Sequence, residues 1–593
     1  MRTRFRIAAA LTLVLTMLLA ACGSETATPA VSQATAAATT AAASATTASA
    51  TSAAASATTA APATTASATT GAATAAATTA ASAATPAATT AAAGAGTPKR
   101  GGTVVVVASS DPGSLNPAVT TSGAIHPVTD QIFNGLVGLD DQLNPVPELA
   151  KSWQISSDGK VYTFQLQPNV KWHDGVAFTS DDVKFTFEQA LLKFHSRTKA
   201  GLEGVLDKIE TPDPLTVIFR FKQPYSPLLQ RLDVVEASII PKHIYTGKDV
   251  MTDPANLKPI GTGPFKFVEY VKGNNITLER NPDYFRAGFP YLDKVIFRVI
   301  TNATTATQAL ENGEVDYLSS VSGADLARLQ KNSSITLVQG YGGSGGSLCQ
   351  DTLIPNLTKA PFDKVEVRQA FYLALDRQFI VDKVYFGQGI PSTGPISKQM
   401  AWAYTPNVKS YVYDPAAANK LLDQAGMAKG ADGTRFKVTF TAATNFARLG
   451  EAMRDQLKQV GIQLDLENLD TAAAVDKVFI KKNFDLGIAS YCNGTDPEIG
   501  VRRAYVSTNI GPISFSNGAG YKNPQVDKLL DQAITVTDRA ERAKIYAEMQ
   551  KIIVDDVPYF WLVDSQGFRG FRSNFQGFRV SSGALLETAW KNS

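Results

Sequence analysis

The residues best placed to hold a small molecule are Ser490-Tyr491-Cys492-Asn493-Gly494-Thr495-Asp496-Pro497. An apolar run, Phe484-Asp485-Leu486-Gly487-Ile488-Ala489, feeds into them, and the chain then turns through loop-favouring Asn, Gly, Asp and Pro. A polar, aromatic loop delivered by a buried strand stands where open α/β folds bind ligands. Its chemistry is binding rather than bond cleavage. Gly342-Gly343-Ser344-Gly345-Gly346 matches the Gly-x-Ser-x-Gly pattern of a nucleophile elbow, but an elbow must run into a helix. Ser347-Leu348-Cys349-Gln350-Asp351 shows no helical pattern, and His126, His173, His195 and His243 all precede the serine. A glycine-rich hinge approach or cleft lining is the better account. There is no HExxH, CxxC or P-loop, and four dispersed His make no preformed metal site, although a metal inside a chelate would need none. The sequence predicts no enzyme, no resident metal and no cofactor.

The chain that must position this loop has 593 residues, too many for one core. With 56 basic and 53 acidic residues its net charge is +3, and no basic cluster interleaved with aromatics points to nucleic acid. Arg2, Arg4 and Arg6 precede an apolar run from Ile7 to Leu19, a targeting signal too short to span a bilayer comfortably. It ends in Leu19-Ala20-Ala21-Cys22, which resembles a bacterial lipobox, so residues 1–22 read as a lipoprotein signal and Cys22 as the lipidation site. Residues 23–98 are almost wholly Ala, Thr and Ser with scattered Pro and can bury no core. As a flexible coil they would reach roughly 40–50 Å. That suits a tether holding a globular domain outside the membrane.

From about Lys99 the pattern is globular. Gly101-Gly102-Thr103-Val104-Val105-Val106-Val107 reads as a buried strand, and Tyr162, Phe164 and Leu166 share one face at period two. Thr179-Ser180-Asp181-Asp182 can cap a helix continued by Val183, Phe187 and Leu191. Further strands are expected at Val217–Phe221, Ile276–Glu279 and Val295–Ile300. Beyond residue 348, Asp363 can cap a helix through Leu375, and Asp414-Pro415 opens another that Gly426 closes. Phe436 to Leu466 reads as strand–helix–strand, and a helix from Arg539 to Val554 precedes a strand at Tyr559–Val563. The short aromatic tail from Gly567 to Trp590 has too little core for a domain and is expected to return to the first half.

In this order the motifs resemble one family. They include Asp111-Pro112-Gly113-Ser114-Leu115-Asn116-Pro117, His173-Asp174-Gly175, Gly261-Thr262-Gly263-Pro264-Phe265, Asn281-Pro282-Asp283-Tyr284, Val367-Arg368-Gln369-Ala370 and Gln424-Ala425-Gly426. The family is the extracytoplasmic solute-binding proteins of ABC importers of the dipeptide, oligopeptide and nickel type. The resemblance implies a mixed α/β, two-lobed type II periplasmic-binding-protein fold with an extra subdomain in the first lobe. It places that lobe at 99–348, completed by 564–593, the second lobe at 349–563, and the hinge crossings near Leu348–Asp351 and Val563–Gln566. It also implies a clamp that closes on a solute and docks on a permease with separate ATPase subunits. The protein would be a lipid-anchored extracytoplasmic monomer. The alternative is a sensing or chaperone-like lipoprotein using the same clamp without transport.

In peptide-binding members the position of Asn493 often carries an acid for the ligand's α-amino group; here it is neutral and can donate or accept. Tyr491 resembles the aromatic placed beside the ligand, and Asn116 and Ser114 would line the first lobe's side of the cleft. Arg448 lies close to where dipeptide binders place an Arg for the carboxylate. Arg502 or Arg503 could meet an anionic ligand, with Phe515 and Asn517 as weaker candidates. Each has a plain structural alternative, as a turn, core or surface residue. Cys349 and Cys492 are either a disulfide, which an oxidising exterior permits, or two buried thiols.

Overall fold

The computed structural model describes residues 97–341, 348–579 and 583–592. Cys22, the signal, nearly all of the Ala/Thr/Ser tract and the Gly342–Gly346 motif therefore lie outside the described residues.

Side-chain alternation decides the local structure of the first half. Tyr162, Phe164 and Leu166 are at most 1% exposed and place the strand Val161–Leu166 at the centre of a four-stranded antiparallel sheet. Val183, Phe187 and Leu191 are fully buried under it, and Asp182 returns a carboxylate oxygen to the Thr179 amide at 2.9 Å to start their helix. Thr103–Ala108 pairs in parallel with Lys294–Val299 inside a larger, twelve-stranded sheet.

That larger sheet is shared by separate cores. One core gathers Val104 to Phe297 with Tyr317, Phe575, Leu586 and Ala589, and a small one gathers Val107 with residues between Ala306 and Ile335. The other gathers residues from Leu348 to Val563, joined by Leu143. In it the expected strand–helix–strand is present as Phe436–Ala443, Ala447–Lys458 and Ile462–Leu469, its strands parallel with Phe436 opposite Ile462. Asp414 caps Pro415–Gln424 by accepting the Ala417 amide at 2.8 Å. The helix assigned to Asp363 instead starts at Val365, after Lys364 in extended conformation.

The strand expected at Tyr559–Val563 departs most from expectation. It runs Phe560–Arg572, well beyond Val563. Its first part pairs with Leu348–Pro355, ending with Gln350 opposite Asp564, and its later part pairs with Ile335–Tyr341, beginning with Gln566 opposite Tyr341. The apolar pattern breaks at Asp564-Ser565-Gln566 because the strand changes partners there, not because it ends. The tail then packs on the first core, where Glu587, 2% exposed, accepts hydrogen bonds from Arg286 at 3.1 Å, Arg579 at 2.9 Å and Tyr284 at 3.0 Å.

Two of the recurring motifs meet in this core. An ideal Cβ at Gly261 or Gly263 would stand 1.9 or 2.6 Å from the Ile132 carbonyl oxygen, so only glycine lets these backbones touch. His173 spans them, Nε2 donating to Gly263 O at 3.0 Å and Nδ1 accepting from the Gly261 amide at 3.2 Å. Those bonds fix the neutral Nε2–H tautomer, and burial lowers its pKa from 6.5 to about 4. The native state therefore binds fewer protons than the unfolded chain below pH 6.5. The stabilisation, at most about 3 kcal/mol, is present above pH 6.5 and is lost as pH falls toward 4. Chemical denaturation at pH 7 and 4.5 should show this loss, reduced in His173→Gln.

Candidate functional site

Asn493 ends the strand Leu486–Asn493, which pairs antiparallel with Leu348–Pro355 and sets Cys492 opposite Cys349. Those two cysteines form a disulfide. The following turn is closed by Gly494 N donating to Ile499 O at 2.5 Å and Ile499 N to Asp496 O at 2.7 Å. Gly500 has φ +129°, and a Cβ there would stand 2.4 Å from Asn493 Oδ1, so this close approach also requires glycine. Asn493 is buried, and its Oδ1 has no hydrogen-bond partner.

The turn is held from beneath. Asp496 is fully buried and forms a bidentate pair with Arg542, at 2.7 and 2.8 Å, beside Trp402 and Tyr546. Tyr491 is also buried, its hydroxyl donating to Ser516 O at 3.1 Å, and the Arg503 guanidinium lies over its ring at 5.7 Å. Arg502 is occupied by Glu498 at 3.6 Å and Asp531 at 2.6 Å.

The other anticipated residues have local partners. Asn116 is fully buried, accepting from the Ala118 amide at 3.0 Å and donating to Asn256 at 2.9 Å, so it caps the turn Pro117–Val119. Ser114 accepts from the Asn116 amide at 3.4 Å within that loop. Arg448 is exposed and is taken up by Lys383 O at 2.5 Å and by the Phe386 ring at 4.6 Å. Asn517 uses its amide on Val506, Gly520 and Tyr521 backbone groups, and Phe515, at φ +56°, packs against Phe479. The polar groups of Asn116, Ser114, Arg448 and Asn517 are thus engaged by nearby protein groups.

Residues that the sequence did not single out face the turn from the first core. Ser226 Oγ donates to Ala533 O at 3.2 Å, bringing a segment of the first half onto the second core, and Arg539 donates to the carbonyl of Leu143, whose side chain joins that second core, at 3.3 Å. On the first core's side, Arg197 pairs with Glu236 at 2.9 Å, and Thr198 donates to Glu236 O at 2.7 Å. His195 Nδ1 accepts from the Thr198 amide at 3.3 Å, and His126 Nδ1 meets Asp130 at 3.0 Å. Burial lowers the pKa of His195 to about 4, so it is neutral at physiological pH. Burial, with the nearby charge of Arg197, likewise works against the charged form of Arg503, while Tyr491 and Glu236 favour it. Arg503 in one core thus lies within electrostatic reach of Arg197 and Glu236 in the other.

Nine buried side-chain nitrogen or oxygen atoms among the described residues have no hydrogen-bond partner, and six of them belong to His126, His195, Arg197, Glu236, Asn493 and Arg503. Such groups are ordinarily satisfied, so these six, some of which influence one another electrostatically across the two cores, form the candidate place for polar ligand groups. Local motifs could not have revealed it, since His126, Arg197, Glu236 and Arg503 are scattered through the sequence. No cluster of three or more His, Cys, Asp or Glu able to hold a metal occurs among the described residues. Nor is any helix among them long and apolar enough to cross a membrane.

Comparison with known proteins agrees with this architecture. The profile of the bacterial extracellular solute-binding proteins, family 5 (middle), matches residues 144–512. The glutathione-binding protein GsiB of Pectobacterium atrosepticum is 28% identical over 492 residues, covering 81% of this chain and 92% of that protein. Di/tripeptide-binding protein 1 of Pseudomonas aeruginosa is 30% identical over 507 residues, with the same coverage. Among solved structures, the ABC transporter-associated periplasmic binding protein DppA of Helicobacter pylori, in complex with the peptide STSA, superposes with a TM-score of 0.69 at 27% identity. That match covers 84% of this chain and 99% of the other. The chain is a member of the bacterial extracellular solute-binding proteins, family 5, with their two-lobed fold and their role of binding solutes for ABC importers.

Proposed function

We propose that the protein captures short peptides between its lobes and delivers them to an ABC permease. The observation that carries this reading is the group of unpartnered polar atoms of Arg197 and Glu236 in the first core and of Arg503 and Asn493 in the second. Relatives that match over most of the chain are named for glutathione and for di- and tripeptides, which are ligands of that size and polarity. A ligand bridging both surfaces binds the closed form better than the open one and so selects it.

The lobes would be 99–348 with 564–593, and 349–563. In support, the apolar cores divide near these limits, and the strand Phe560–Arg572 changes partner between Asp564 and Gln566. The hinge would lie there and at the approach to Leu348. The signal and Cys22 would anchor the protein by lipid outside the cytoplasmic membrane, with residues 23–98 as tether. Metabolic labelling with palmitate, lost in Cys22→Ser, tests the anchor.

Native mass spectrometry of the purified protein, followed by denaturation, tests the ligand. Release of peptides of two to five residues is the expected result; a sugar or a metal chelate in their place would overturn the peptide assignment.

A further inference from the structure

The hairpin that joins Val137–Leu139 to Pro145–Pro147 belongs at its base to one core and at its tip to the other. Leu136, Val137, Leu149 and Ala150 are buried in the first core, whereas Leu143 is 4% exposed and packs with the second. The tip is braced from within. Asp140 accepts hydrogen bonds from the Gln142 amide at 2.9 Å and the Asn144 amide at 2.8 Å, and Asn144 Nδ2 donates to its other oxygen at 3.0 Å. Leu143 holds φ +62°, a region that glycine or asparagine enters far more readily than leucine. Such a backbone persists only where its surroundings hold it, and it marks a residue whose side chain is in use. Here the use is to reach the second core.

The seat of this side chain adjoins the turn after Asn493. Arg539 donates to Leu143 O at 3.3 Å and to Asn144 Oδ1, and its guanidinium lies over the Trp402 ring at 4.8 Å. Trp402 Nε1 donates to Thr495 O at 3.3 Å, and Arg542, the partner of Asp496, lies over the same ring at 5.2 Å. Two further segments of the first half meet the stretch that leads to Arg539. Ser226 Oγ donates to Ile534 O at 3.1 Å, and an ideal Cβ at Gly159 would stand 2.9 Å from Thr537 Cγ2. Leu143 supplies the buried apolar part of this junction.

We propose that Leu143 is a latch that holds the two lobes together before any solute arrives. Its side chain is out of water only while the first lobe rests on the second. Parting the lobes exposes it, and the hydrophobic effect opposes that step whatever the cleft contains. Because the hydrogen bonds of the tip are its own, the latch can seat and withdraw as one piece. A solute then has less of the open-to-closed equilibrium left to shift, since part of the closed population exists without it. The path from Arg539 through Trp402 to Thr495 ties the seated latch to the turn, so that seating and the shape of the turn change together. The inference rests on the clamp proposed above and not on the identity of its ligand.

Double electron–electron resonance tests the latch, with nitroxides on cysteines introduced at the exposed residues Ser152 and Gln525, one in each half. The sample is the full chain carrying Cys22→Ser, measured with and without trialanine. Without peptide, the otherwise unaltered protein should show a population at short distance. Leu143→Gly suits φ +62° and leaves the tip intact, yet removes the buried side chain. In that variant the ratio of short to long distances should fall by roughly 10- to 100-fold, the range for withdrawing one leucine side chain from a core. A long distance alone in the unaltered protein without peptide overturns the latch, and so does a distribution that Leu143→Gly leaves unchanged. If trialanine still shortens the distance in those cases, the clamp stands and only the latch falls. One fixed distance in every sample removes the clamp with it.

Discussion

Asp496→Ala is expected to destabilise the protein by about 3–5 kcal/mol, because it strands a buried guanidinium. Asp496 is fully buried and the Arg542 side chain is 3% exposed. Arg542 also donates to Ala533 O at 2.8 Å and to the Tyr546 hydroxyl at 3.0 Å, so it has no route to water once its carboxylate is gone. Burial alone would lower the Arg542 pKa; Asp496, with Tyr546, outweighs it and raises the value. Removing both charges is a different experiment. Asp496→Ala combined with Arg542→Met should recover part of the loss, since an apolar pair of similar volume carries no desolvation penalty. Denaturant titration of the two single variants and the double variant measures the coupling, and additive losses would show that the pair does not act as a unit. Solute affinity should fall as well in Asp496→Ala, because the Asp496 carboxylate accepts the Glu498 amide at 3.0 Å and so shapes the turn after Asn493.

Replacing Cys349 and Cys492 by serine is expected to cost about 2–4 kcal/mol, with little effect on solute affinity. The two cysteines are 143 residues apart in sequence but directly opposed on neighbouring antiparallel strands. Eight registered pairs, from Leu348 opposite Asn493 to Pro355 opposite Leu486, hold these strands together without the bond. In the chain-entropy account the disulfide acts mainly on the unfolded state, which it denies a long open loop. Denaturation with and without reductant should therefore show the loss in the unaltered protein and none in the double serine variant. An affinity drop of tenfold or more in that variant would instead mean that the bond shapes the turn itself.

Elements whose cause is local were legible in the sequence. Tyr162, Phe164 and Leu166 alternate because a half-buried strand alternates, and Asp414-Pro415 opens a helix because cap and fixed φ act on adjacent residues. The glycine-rich motifs at Gly261 and Gly263 could be read as significant, but their reason, close approach to Ile132, became visible only with the fold. The sequence pattern ends the strand at Val563 because it changes at Asp564, where each half of the strand meets a different neighbour. Arg448 and Asn116 carry suitable functional groups, yet the structure engages them with the Lys383 carbonyl and with Ala118 and Asn256, partners of which only Ala118 is near in sequence.

By itself, the sequence determined the family and the strand that delivers Tyr491 to Asn493. These follow from motif order and from a continuous apolar run leading into turn residues, both of which are written along the chain. Only the tertiary structure decided which charges face one another. Arg197, Glu236 and Arg503 come from widely separated segments, and whether a guanidinium has a carboxylate depends on what packing brings within a few ångströms of it. No local pattern encodes that distance.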